Sequence, residues 1–127
     1  MASCLSIMDK YSKLISVLFN ARDVVHLVHL RVTGEGSFAQ HMALNDLYSA
    51  LEGDADDVCE LIQGYEGILD ITIPMAAPKP IIPFLEDLRS NLIKAQADLD
   101  SMPDVQNKLQ ETIGSISKTL YKLKNLE

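Results

Sequence analysis

The 127-residue chain contains no run approaching the roughly 18 consecutive apolar residues that a membrane span requires. Its opening, Met1-Ala2-Ser3-Cys4-Leu5, has neither the basic region nor the cleavage site of a secretory signal. Together these absences predict a soluble, cytoplasmic protein with no membrane association. Cysteine is scarce: Cys4 and Cys59 are too few and too far apart for a disulfide framework or a thiolate metal site, and both are expected to be reduced. Cys59 falls between Asp56 and Glu60, whose charges raise a thiol pKa, so nucleophilic cysteine chemistry has little support. Neither end carries a basic run and the net charge is −7, which leaves DNA association weak or absent. Gly34-Glu35-Gly36 lacks the strand and spacing of a phosphate-cradling loop. Glu-x-x-His, the pair that builds a di-iron site inside one bundle, occurs nowhere; the single Asp-x-x-His joins Asp23 to His26.

What the chain does have is apolar periodicity. At 47% hydrophobic residues it can bury a real core as one domain spanning 1–127. Tyr11, Ile15, Leu18, Val25 and Val28 recur at helical spacing and predict a first helix over about 8–32, ended by Thr33-Gly34-Glu35-Gly36. Ser37-Phe38-Ala39-Gln40 reads as a capping box opening a second helix over about 38–64. Between Asp70 and Pro83 stand Pro74, Pro78, Pro80 and Pro83, each removing a backbone donor, so a long connection is expected there. Leu85, Leu88, Leu92, Ala95 and Leu99 form one stripe of a third helix over about 84–101. Pro103 opens a fourth over 103–125, burying Val105, Leu109, Ile113, Ile116, Leu120 and Leu123.

A short first turn makes the first two helices antiparallel neighbours, and a long second link can cross the bundle before an antiparallel final pair. The expected fold is therefore all-α, a ferritin-like four-helix bundle with a long Pro-rich B–C crossover. A plain up-down bundle with a decorated loop is the alternative.

His26, His29 and His41 are the only histidines, and they flank the first turn. A histidine near a helix C-terminus can equally serve the helix dipole. Asp56 and Glu60, spaced i, i+4, project from one face and can grip one hard cation, or simply form a solvated face. Fifteen residues separate His41 from Asp56, roughly 22 Å at ~1.5 Å rise per residue. If all four are ligands, one chain cannot bring them to one ion. A two-fold axis can, giving two equivalent sites.

The segment His26-Leu27-Val28-His29 with Arg31-Val32-Thr33-Gly34 resembles the H-x-x-H-W-x-V-x-G signature of the Dps family, the mini-ferritins also called DNA-binding proteins from starved cells. Asn45-Asp46-Leu47-Tyr48 is similar to that family's D-D-L-Y, and Asp56-Asp57-Val58-Cys59-Glu60 to its D-E-x-x-E. The resemblance implies a ferroxidase centre at a dimer interface, with His29 and His41 from one chain and Asp56 and Glu60 from the other. Leu30 stands where the family commonly has Trp, and Asn45 where a further acidic ligand often sits, which weakens one iron position.

On that resemblance the chain is expected to bind iron, oxidise Fe(II) with peroxide or oxygen, and store or detoxify it in a homo-oligomer, up to a twelve-subunit shell. The alternative function is a redox-inactive ferritin-like structural or interaction protein. The apolar residues Ile71, Ile73, Met75, Ile81 and Ile82 of the long link favour it.

Overall fold

The computed structural model describes residues 9–126; Cys4 and the expected helix start at Met8 lie outside them. The architecture is all-helical: α1 (Lys10–His29), α2 (Ser37–Glu66), α3 (Ile81–Ala95), a 3₁₀ turn over Gln96–Leu99, and α4 (Pro103–Asn125). No strand occurs among the described residues.

Helix α1 packs chiefly on α2, α2 on α4, and α4 on α3. Cross-helix polar contacts give the directions. Arg22 pairs with Glu52 at 3.6 Å while His26 stacks on Tyr48, so α1 and α2 are antiparallel. The Tyr65 hydroxyl donates to Asp104 at 2.6 Å, and Lys122 reaches Asp46 at 4.0 Å, so α2 and α4 are antiparallel as well. Arg89 donates to Ser117 at 3.1 Å and Lys124 to Glu86 at 3.1 Å, which sets α3 against α4 in the same manner. It follows that α2 and α3 run in the same direction, and the link between them has to travel back along the bundle. The backbone does so beside α1: the Ser16 hydroxyl donates to Thr72 O at 2.7 Å and Asn20 Nδ2 to Pro74 O at 3.2 Å. Pro78 and Pro80 then reach Val28 and Val32 at the far end of α1.

The core lies where the four stripes meet, with Leu18, Leu47, Leu51, Leu85, Leu92, Leu109 and Ile116 buried. Ala95, Ile113 and Leu123, expected on buried stripes, are packed at its margin. In the link, Ile71 leans on the core whereas Met75 is 98% exposed.

Helix ends differ from expectation for local reasons. The Ser37 capping box does not form: Gly36, left-handed at φ 77°, is the cap and its carbonyl accepts from Gln40 N at 3.2 Å. Ser37 is thereby the first helical residue, one position too late for its hydroxyl to reach the orphan donors. Helix α1 instead has a true side-chain cap, Asp9, accepting from Ser12 N at 2.7 Å. Helix α3 begins at Ile81, before Pro83, because a proline in the first turn lacks a donor that would have no helical partner anyway. Helix α2 extends to Glu66, where Gly67 at φ 80° ends it.

Truncation of Leu51, which is fully buried, tests this packing. Leu51→Ala is expected to lower unfolding free energy by about 2–5 kcal/mol in urea denaturation. The same change at exposed Leu30 is expected to leave it within about 0.5 kcal/mol.

Candidate metal centre

The corner between α1 and α2 collects all three histidines. His26 and His29 lie in the last turn of α1, and His41 and Tyr48 in the first turns of α2. The ring of His29 stacks on that of His41 with centroids 3.8 Å apart, meets Tyr48 edge-on at 5.1 Å, and lies 5.8 Å from His26. His26 stacks on Tyr48 at 4.1 Å. Tyr48, named in the sequence only within the segment similar to D-D-L-Y, was not expected among the histidines. Its spacing of seven residues from His41 placed it two turns along nearly the same side of α2.

His29 is only 6% exposed, and neither of its ring nitrogens has a hydrogen-bond partner. Such a group costs roughly 1–3 kcal/mol unless something outside the chain satisfies it. Burial, followed by the neighbouring imidazoles of His41 and then His26, pushes its pKa below the ordinary 6.5. It is therefore a neutral ring near pH 7, with a lone pair to offer.

His41 is oriented differently. Its Nδ1 lies 3.1 Å from the carbonyl of His29, one of the acceptors left over at the end of α1. A carbonyl only accepts, so Nδ1 carries a proton, and in the neutral ring Nε2 is the nitrogen left with the lone pair. This pattern, one ring nitrogen tied to backbone and the other available, is the one that prepares a histidine to hold a metal. The stacked rings do not yet converge, and among the described residues no three His, Cys, Asp or Glu side chains surround one point.

The carboxylates lie elsewhere. Asp56 and Glu60 are exposed on α2, roughly 22 Å and 28 Å respectively from His41 along the same helix. Neither makes a hydrogen bond or ion pair with any other described residue, whereas their neighbours are engaged. Lys108 reaches Glu111 at 3.1 Å, Asp57 at 3.3 Å and Asp54 at 3.4 Å, and Asp54 also accepts from the Thr112 hydroxyl at 2.9 Å. These carboxylates, Glu111 foremost, hold the Lys108 ammonium above its usual pKa range. Asp57 is thus spent on the α2–α4 contact, and Asp56 and Glu60 are free. Between them Cys59 has its thiol pushed up by burial first, then by Asp56 and Glu60, leaving a poor nucleophile. Asn45, half-buried one turn after His41, makes no side-chain hydrogen bond among the described residues.

Fold and corner together define an all-helical bundle carrying a histidine cluster at one end and unpaired carboxylates toward the other. The chain belongs to the family described as a family of unknown function (DUF5856), which matches residues 29–123 and so includes His29, His41, Asp56 and Glu60. No curated protein and no solved structure matches it. No helix among the described residues is long and apolar enough to cross a membrane.

The lowered pKa of His29 carries a sign. The unfolded chain binds a proton there more readily than the folded one, so stability is present above pH ~6.5 and is lost as pH falls through and below that value. A melting-temperature series from pH 7.5 to 5 is expected to decline, and His29→Phe, which keeps the ring and removes the titration, is expected to flatten the decline.

Proposed function

We propose that this chain is a ferritin-like mini-ferritin subunit that binds and oxidises Fe(II) at sites shared between two copies. The observation that carries the reading is the state of the two histidines. His29 is buried with both ring nitrogens unpartnered, and His41 is held by a backbone carbonyl with Nε2 left free. The helix order supports the ferritin-like part, since parallel α2 and α3 joined by a link along α1 is the arrangement a ferritin-type crossover requires.

The donors suit iron. Imidazole nitrogen holds the ferrous ion, and carboxylate oxygen favours the harder ferric product. In this reading Fe(II) is the substrate. His29 and His41 of one copy, after their rings part, and Asp56 and Glu60 of the other hold it. Each iron gives up one electron; a peroxide accepts a pair of them and, with two protons, leaves as water. Asn45 beside His41 contributes a neutral amide where a carboxylate would bind a second iron more firmly, so one iron position is weaker than the other.

Anaerobic titration with Fe(II) is expected to saturate in the wild type. His29→Ala or Asp56→Asn is expected to lose rapid Fe(II) oxidation while helical content and assembly size are kept. A wild-type chain that takes up no Fe(II) in that titration overturns the reading. It would favour a redox-inactive ferritin-like structural protein, a reading supported by the exposed apolar side chains of Leu30, Ile73 and Met75.

A further inference from the structure

We infer that the turn after α2, with Ile68 at its apex, docks into the hollow between the end of α1 and the prolines of the link on a second copy, joining chains end to end. This contact goes beyond the shared-site reading above and does not rest on it.

The projecting half is held in place by its own chain. Gly67, left-handed at φ 80°, ends α2 and its N–H donates to Gln63 O at 2.9 Å. The Gln63 side chain in turn accepts from Leu69 N at 3.1 Å, and Leu69 packs against the core. The turn is thereby tied down on both sides of Ile68, which is itself 88% exposed. An apolar side chain held out from a fixed turn adds nothing to its own core. Glu66 and Asp70 flank it; both are exposed, and neither pairs with any other described residue.

The receiving half lies at the opposite end of the bundle. Val28, Val32, Pro78 and Pro80 line an open hollow of about 340 Å³, and its remaining lining residues are Arg31 and Lys79. Leu30, also exposed, extends the apolar surface beside Arg31. Both cations are exposed and have no ionic partner among the described residues. An apolar hollow between two free cations matches an apolar apex between two free carboxylates. That complementarity selects a second copy as the occupant.

Neighbouring charges leave the match intact. At the hollow's end of the bundle, Asp46 and Glu86 are already paired with Lys122 and Lys124. Glu35 lines a separate hollow beside Leu123 and Lys124, and Asp87 stands more than a turn into α3, outside the lining. At the projecting end, Lys10 pairs with Asp98, and Lys13 lines the hollow between α1 and α3. Asp104, bonded to the Tyr65 hydroxyl, adds negative charge near the turn.

The two halves cannot meet within one chain. The thirty residues of α2 separate them by roughly 45 Å at ~1.5 Å rise per residue. Each copy offers one apex and one hollow, so the contact is heterologous, giving a ring where its rotation closes and a filament where it does not. A two-fold dimer cannot form it by the same operation. Its small area makes it a weak contact, favoured by high concentration and low salt.

The test uses the full chain without metal. In low salt, wild-type protein is expected to sediment as progressively larger species as concentration rises from about 10 μM to about 1 mM, and raising the salt to about 0.5 M is expected to reduce this growth. Ile68→Ser is expected to weaken the association at least about tenfold with helical content unchanged. Charge reversal gives the decisive arm. The hollow variant Arg31→Glu/Lys79→Glu and the turn variant Glu66→Lys/Asp70→Lys are each expected to lose self-association, because each sets like charges against each other. Mixed in equal amounts they are expected to regain it, since each variant's apex then meets a hollow of opposite charge. Wild-type protein whose size is independent of concentration overturns the inference. So does association that Ile68→Ser leaves unaltered, or a mixture of the reversed variants that stays as small as its components. Fe(II) oxidation that persists in the reversed variants leaves the shared-site reading standing whichever way the sedimentation falls.

Discussion

Along the thirty residues of α2, backbone hydrogen bonds fix the separation of every side chain it carries. The burial of Leu44, Leu47, Leu51, Val58 and Ile62 fixes which side faces the core. The distance from His41 to Asp56 cannot change without unfolding the helix that organises the domain. Other features follow from it. The α1–α2 corner is tight because α1 must return along α2, and the link 67–80 is long because α3 repeats the direction of α2. The histidines and the free carboxylates stay apart within one chain for the same reason.

The corner has the marks of a place where stability gives way to function. A buried ring with two unsatisfied nitrogens is unfavourable, and apolar residues in its place would pack as well. The surrounding core carries that burden, since the leucines of all four helices converge nearby. The carboxylates nearest to Asp56 show the contrast. Asp54 and Asp57 are drawn into the Lys108 network that ties α2 to α4, whereas Asp56 and Glu60 pair with no other described residue.

Much of the fold was legible in the spacing of its leucines. Leu85, Leu88, Leu92 and Leu99 lie on one buried stripe, as do Val105, Leu109, Ile116 and Leu120, because helical period alone decides which side of a helix can be buried. Local chemistry was less legible. Ser37 and Gln40 match a capping box in letters, but Gly36 adopts a left-handed conformation that starts the helix one residue early. Pro83 looked like a stop and is a first-turn residue, since the same missing donor suits both roles. At the corner, the proximity of His29 and His41 could be read from the short turn. Their stacking, the carbonyl that fixes His41, and the insertion of Tyr48 could not, because side-chain orientation depends on the register of α1 against α2. The pairing of Asp57 with Lys108, which separates it from Asp56, likewise depends on where α4 lies.

Complementation between two defective variants tests the shared site most directly. His29→Ala removes a ligand from one half of each site, and Asp56→Asn removes one from the other half. Unfolded together and refolded as a mixture, about half of the dimers combine one of each, and in those one of the two sites has both halves intact. The account predicts that each variant alone is inactive in Fe(II) oxidation and that the refolded mixture recovers about a quarter of wild-type activity. A mixture as inactive as its components would contradict it, because ligands held within one chain cannot be restored by a partner.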